Sequence, residues 1–210
     1  MDNQIKANLI EAYNQQAEQR NKHEIENWKA AERAYFLSLL QKENKRNLLE
    51  IGAGHGRDSL FFQEQGFKVR CIDLSPEMVR LCQQKGIAAF VMDMVNLEFE
   101  QASFDAVFAL NSFLHLPKSE FPTALENVRA VLRADGLFYL GLYGGFDFEG
   151  IWEEDSYTPK RFFSLYTDED LKKNLADFFD ILYFKHISLG EDRRPFQSFI
   201  LRNQQIEKQE

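Results

Sequence analysis

Residues 47–62 read NLLEIGAGHGRDSLFF, and Gly52, Gly54 and Gly56 fall on alternate positions between an apolar run and a helical pattern. No other stretch limits the fold as tightly. Glycines in a strand-to-helix turn let backbone approach a neighbour or a ligand closely. The helix start that follows offers unpaired N–H groups and partial positive charge. Such a place suits a phosphate, a pyrophosphate or a carboxylate. The plainer alternative is a tight turn whose glycines serve packing alone.

The rest of the chain supplies the frame for this loop. RNLLEI, FKVRCID, AAFVMD, SFDAVFAL and GLFYLGLY read as short buried strands, with amphipathic helices between most of them. That alternation implies βαβ units and a parallel sheet. Ser75 is the expected N-cap of the helix SPEMVRLCQQKG, with Pro76 and Glu77 in its first turn. The sequence ADG after AVLR reads as a helix stop, with Gly136 taking positive φ. Later, TDEDLKKNLADF starts a helix with Thr167 as N-cap and Asp170 completing a capping box. FFDILYFKHISL and PFQSFILRN flank GEDRR and read as two antiparallel strands. The connection YGGFDFEGIWEEDSYTPKRFFSLY is long enough to serve as a lid. Residues 1–44 read as a helical cap segment, with Ile25, Trp28, Ala31, Tyr35 and Leu39 near helical spacing. Residues 45–210 form the main domain.

Composition narrows the function classes. Apolar residues are 44% and charged residues 28% of the 210, ordinary for a globular protein. No apolar run approaches the roughly 18 residues of a membrane span, and the polar, acidic start MDNQIKANLIEAYNQQ does not read as a secretory signal. Cys71 and Cys82 lack metal-site or CxxC spacing, so no metal site is predicted and a reducing, cytoplasmic setting is expected. The net charge of −8 argues against nucleic-acid binding.

Spacing selects among ligands. Arg57 stands where a dinucleotide fingerprint needs its third glycine, and the Gly-Lys-Ser/Thr of a phosphate loop is absent. Asp73 ends the second strand, 21 residues beyond Gly52, where a carboxylate can accept from both hydroxyls of a ribose. Its other reading is a helix-capping residue. Asp93 ends the third strand, as a ligand-facing acid or a turn residue.

LLEIGAGHG, VRCIDLSPEMV, FVMDM, FDAVFALNSFLHL and LRADGLFYLGLYG, in this order and spacing, resemble the successive motifs of class I S-adenosylmethionine-dependent methyltransferases. The resemblance covers about residues 46–145 and is carried by the ordered set, since any one motif alone is weak. It implies an α/β, Rossmann-like three-layer sandwich: a seven-stranded, mostly parallel sheet with an antiparallel last strand. It implies S-adenosyl-L-methionine as cofactor, with Glu50 holding the glycine loop and the methionine end, and Gly52, Ala53, Gly54 and Gly56 lining the amino-acid moiety. Asp73 would bind the ribose, Leu74 would pack beside the adenine, and Asp93 and Met94 would contact the ring. Asn111 would sit under the methionyl group, and Tyr13, on a helix ahead of the first strand, would close the pocket. Arg57 reads as a solvated helix residue or a partner for the cofactor carboxylate.

The acceptor is expected outside the carboxyl ends of the strands. Methyl transfer is an in-line displacement that needs alignment of donor and acceptor. A base is needed only where the acceptor must first lose a proton, and His115 and Tyr143 are the candidates. Glu153 is a weaker one. His186 reads as structural, and His23 and His55 show no partner in the sequence. Trp152, Phe162, Phe163 and Phe196 form an expected apolar wall, with Arg161, Arg193 and Arg194 converging on an acidic group. The carboxylates of EGIWEED suit instead a cationic or amine acceptor. The reading is therefore a methyltransferase acting on a small molecule. RNA or protein methylation, a nicotinamide-dependent oxidoreductase and a non-catalytic cofactor-binding protein are the alternatives.

Overall fold

Five strands form from the predicted apolar runs: β1 (Asn47–Ile51), β2 (Lys68–Asp73), β3 (Ala88–Val91), β4 (Phe104–Leu110) and β5 (Leu132–Tyr143). This computed structural model describes residues 1–22 and 24–204. Two helices precede the strands, α1 (Asn3–Arg20) and α2 (Asn27–Lys42), and three are interleaved with them: α3 (Arg57–Glu64), α4 (Pro76–Gln84) and α5 (Phe121–Val131). The remainder comprises β6 (Phe148–Ile151), β7 (Phe162–Leu165), α6 (Asp168–Ala176), β8 (Phe179–Ile187) and β9 (Phe196–Asn203).

The seven-stranded sheet has the order β3-β2-β1-β4-β5-β9-β8. The first five strands are parallel, and β9 runs antiparallel to both neighbours. The last strand is thus the antiparallel one, as expected, and β8 points its carboxyl end to the same edge as β1–β5.

Alternate residues of the central strands feed two cores. Leu49, Val107 and Phe138 join Leu125, Val128, Leu171 and Phe179 on one face. Leu48, Phe108 and Tyr139 join Phe36, Leu40 and Phe62 on the other, where the Phe108 and Tyr139 rings stack at 4.7 Å. Both faces are covered, which is why these strands read as nearly unbroken apolar runs.

Four expectations need correction. The buried face of α2 is Glu32, Phe36 and Leu40, while Ala31 and Tyr35 are exposed. Glu32 hid the stripe, because a carboxylate at the centre of a helix does not read as core. The lid connection holds a two-stranded antiparallel hairpin, β6 with β7, and β7 is buried throughout. Asp135, not Gly136, takes the left-handed conformation, at φ 59°. Gly136 is required because a Cβ there would lie 2.8 Å from the Arg133 carbonyl oxygen. At the start of α6, Thr167 Oγ1 accepts from the Asp170 N–H, but the Asp170 carboxylate takes the Thr167 hydroxyl proton, so the box is incomplete. The cap of α4 is as expected, with Ser75 Oγ accepting from the Met78 N–H at 3.1 Å. No helix among the described residues is long and apolar enough to cross a membrane.

Candidate functional site

Strand order reverses between β1 and β4, and a sheet opens a crevice outside its carboxyl ends at such a reversal. A cavity of about 370 Å³ lies there.

The three glycines have two different tasks. A Cβ on Gly52 would lie 2.3 Å from Ser112 Cβ, and one on Gly56 would lie 2.8 Å from Cys82 Sγ. These two glycines make room for the protein itself. A Cβ on Gly54 meets nothing within 4 Å; Gly52 and Gly54 both line the cavity, but only Gly54 has free space for a side chain. Gly56 does not line it. The expectation that all three clear space for a ligand is corrected accordingly. Positive φ at each, +74°, +56° and +80°, adds a second reason for glycine.

Asp73 joins this loop to the next. Its Oδ2 accepts from the Gly54 N–H at 2.8 Å and its Oδ1 from the Ser75 N–H at 2.9 Å. Burial pushes its carboxyl above the usual range, against the pull of those two N–H groups. Asp73, Leu74, Asp93 and Met94 all line the cavity. Asp93 Oδ1 accepts from the Val95 N–H at 3.1 Å, as a turn residue does, while Oδ2 pairs with Lys6 of α1 at 2.6 Å.

At the end of β4, Asn111 holds a left-handed φ of 58° and donates its N–H to the Gly141 carbonyl. Asn111 Oδ1 and Ser112 Oγ are buried at the cavity without a partner among the described residues. Glu50 lines the same cavity, fully buried, and accepts from the Ser59 hydroxyl. Burial, reinforced by the nearby Asp58 carboxylate, raises its carboxyl well above normal. Asp58 is itself held by Arg33 at 2.6 Å and Arg57 at 3.1 Å. Arg57 therefore serves the floor of the site and is no free solvated residue.

The roof comes from α1 and the β6–β7 hairpin. Tyr13 and His115 line the cavity, and their Oη and Nε2 are 2.6 Å apart. His115 Nδ1 lies 2.7 Å from the Phe162 carbonyl oxygen. A carbonyl only accepts, so Nδ1 carries the proton and Nε2 accepts from the Tyr13 hydroxyl. Burial lowers His115 to about 3, which keeps the ring neutral. Arg161 Nη1 donates to Tyr13 Oη at 3.1 Å, and its other edge grips Asp155 through two bonds of 2.9 and 2.8 Å. Arg20, at the end of α1, donates to Tyr157 Oη at 2.8 Å.

The other assigned residues stand farther out and are absent from the cavity lining. Tyr143 packs edge-on to Trp28 and Phe196, and its hydroxyl accepts from Lys29 at 3.1 Å. Phe163 contacts the His115 ring at 4.7 Å, so the roof and the outer residues are continuous. Arg194 lies 3.7 Å from the Trp152 ring. Arg193 pairs with Glu26 at 2.6 Å. Arg161 and Arg194 both approach the Phe163 ring, at 5.2 and 5.4 Å, whereas Arg193 stands apart with Glu26.

Sequence reasoning missed Arg20, Glu26 and Lys29, which line the cavity. They lie in the helical cap, where only Tyr13 had been singled out. His55 also lines it, and Lys85 donates to its Nδ1 at 3.2 Å. Burial and the Lys85 charge lower His55 to about 4. His186 pairs with Asp168, and His23 lies outside the described residues.

Residues 48–136 match a family model described as a methyltransferase domain. That central part of the chain is therefore similar to methyltransferase domains. The chain resembles glycine N-methyltransferase of Homo sapiens, with 29% identity over 130 residues, 51% of this chain and 44% of that protein. The matched segment thus spans less than half of that relative. In fold it resembles the 1,6-didemethyltoxoflavin-N1-methyltransferase of Burkholderia thailandensis, solved with 1,6-didemethyltoxoflavin and S-adenosylhomocysteine. That likeness has a TM-score of 0.75 at 22% identity and covers 98% of this chain and 91% of the other. The N-methyltransferase NodS of Bradyrhizobium japonicum WM9, in complex with S-adenosylhomocysteine, aligns with a TM-score of 0.67 at 15% identity, over 92% of this chain and all of NodS.

Proposed function

We propose that this protein binds S-adenosylmethionine in the β1–β4 crevice and transfers its methyl group to a small-molecule acceptor. One observation carries the reading: the open Gly54 backbone and the Asp73 carboxylate face a single cavity of about 370 Å³. The residues present suit this cofactor. Asn111 Oδ1 and Ser112 Oγ are orphaned acceptors beside the loop, Asp73 offers a carboxylate for ribose hydroxyls, and Asp93 offers an acceptor for an adenine amino group. Lys29 and Arg57 supply positive charge for a carboxylate, and the Glu50 carboxyl offers an oxygen that can accept from an ammonium. When bound, the cofactor supplies a methyl group activated on a sulfonium.

The chain's part is alignment and exclusion of water. Tyr13 is aimed by His115 below and Arg161 above, so its oxygen is fixed at the roof. Both ring nitrogens of His115 are already engaged, and the ring is kept neutral. His115 is thus better suited to position Tyr13 than to take a proton. A free amine is the acceptor that suits this site, since it attacks through its own lone pair and needs no base beforehand.

Calorimetry with S-adenosylmethionine and S-adenosylhomocysteine, followed by an acceptor screen that detects released S-adenosylhomocysteine, tests the proposal. Micromolar cofactor binding and turnover on a small amine are expected. Binding of a nicotinamide dinucleotide instead would defeat it, as would turnover confined to RNA or protein.

A further inference from the structure

Each step between parallel strands carries an α-helix except one. The helix α3 lies between β1 and β2, α4 between β2 and β3, and α5 between β4 and β5, but residues 92–103, which join β3 to β4, hold no helix. Parallel strands are normally covered on both faces. Here α4 closes one face of the sheet edge, where its Val79 and Cys82 pack on Cys71 and Ala89. The opposite face of β2 and β3 has no such cover.

Register shows what that face presents. Arg70 stands beside Ala88, and Ile72 beside Phe90. Alternation along each strand then puts Lys68, Arg70, Ala88 and Phe90 on one side. All four are exposed, Phe90 by 43%. Phe99, from the helix-free connection, meets the Phe90 ring edge-on at 6.0 Å. A groove of about 340 Å³ runs along the same face, lined by Lys68, Arg70, Ala88, Glu100 and Phe104. An apolar knob, Phe90, thus stands two positions along β3 from the wall of an open groove.

The charges around it are unspent. Lys68 and Arg70 make no ion pair among the described residues, and neither do Glu98 and Glu100, exposed on either side of Phe99. Glu100 shares the groove with both cations yet pairs with neither. A purely anionic partner would meet two carboxylates here, and a purely cationic one would meet two cations. A two-fold contact sets one patch against itself, so the patch must carry its own complement. This one does, with knob beside groove and two cations beside two carboxylates.

We propose that the uncovered β2–β3 face joins two copies of this chain in a two-fold homodimer. Phe90 of each copy sits in the groove of the other, and Lys68 and Arg70 face Glu98 and Glu100 of the second copy. The apolar centre supplies contact area, and the charges set the register. Lys68, Ala88 and Phe104 are the first residues of their strands, so the groove lies at the sheet edge opposite the β1–β4 crevice. None of these residues lines the cavity there, and the proposal does not depend on methyl transfer.

Sedimentation equilibrium of the full chain from about 1 to 100 μM tests it, since mass action makes a dimer concentration-dependent. The parent should follow a monomer–dimer equilibrium. Phe90→Glu should weaken it at least about tenfold, because it buries a charge without a partner. The double variants Lys68→Glu/Arg70→Glu and Glu98→Lys/Glu100→Lys each set like charges opposite one another. Each should be monomeric alone where the parent is dimeric. Mixed in equal amounts they should pair again, because one copy then carries the carboxylates and the other the cations. Within the fold these four side chains have one hydrogen bond among the described residues, from Asn96 to Glu98, so both double variants should melt as the parent does. A parent that stays monomeric throughout would overturn the proposal. So would a dimer indifferent to all three variants, or a mixture of the charge-reversed pair that stays monomeric.

Discussion

At the residue scale, the glycine loop was legible as a place but not as a division of labour. Sequence spacing could not distinguish Gly54 from its neighbours, because the atoms that crowd Gly52 and Gly56 come from Ser112 and Cys82, far along the chain. The distinction predicts two kinds of variant. Gly52→Ala drives a Cβ into Ser112 Cβ and should prevent normal folding, seen as loss of a cooperative melt. Gly54→Ala meets no protein atom but is strained at positive φ, a cost of about 1 kcal/mol. It should fold, with a slightly lower Tm, and lose most cofactor affinity by calorimetry. Equal melts for the two variants would refute the assignment. Asp73 was legible because an acid at the end of the second strand needs only the strand order to reach the loop, and its bond to the Gly54 N–H follows. Asp73→Ala should therefore lose most cofactor affinity, and unchanged calorimetric binding would remove it from the site.

At the element scale, α1 and the β6–β7 hairpin form the roof through contacts that no local pattern encodes. Tyr13 and His115 are 102 positions apart, and Tyr13 and Arg161 are 148 apart. The helix α2 was misread for a related reason. Its buried Glu32 accepts from the Ser198 hydroxyl at 2.7 Å, from Lys185 at 2.9 Å and from Tyr183 at 3.2 Å, all supplied by β8 and β9. A carboxylate is tolerated inside because every partner is waiting, and none of them is near it in sequence. Glu32→Ala should cost about 1–3 kcal/mol by denaturant unfolding, since it strands the polar groups that now share that carboxylate. Cofactor binding should change little, because Glu32 does not line the cavity. A neutral substitution would mean that water replaces the carboxylate without loss.

At the scale of the whole molecule, the topology was readable because five short apolar runs and the closing strand pair each carry their own boundary signals. What the sequence left hidden is how burial sets the protonation of the site, and that has a measurable consequence. His115 is lowered to about 3 and His55 to about 4, both chiefly by burial. An unfolded histidine titrates near 6.5. Between those values the unfolded chain binds more protons than the folded one, so stability contributed by these rings is complete above about pH 6.5 and is lost as pH falls toward 4 and 3. Glu50 has the opposite sign. Its carboxyl is raised, so the folded chain binds the extra proton, and its contribution is present at low pH and lost as pH rises through the folded value. The two opposing slopes are separable by difference. Subtracting the Tm-against-pH curve of His115→Gln from that of the parent should leave a term that falls on acidification below pH 6.5. The same subtraction for Glu50→Gln should leave a term that rises on acidification, with the variant more stable than the parent above neutrality and weaker in cofactor binding. Matching slopes in parent and His115→Gln would mean that the ring is not held neutral between Tyr13 and the Phe162 carbonyl, and the roof would need another account.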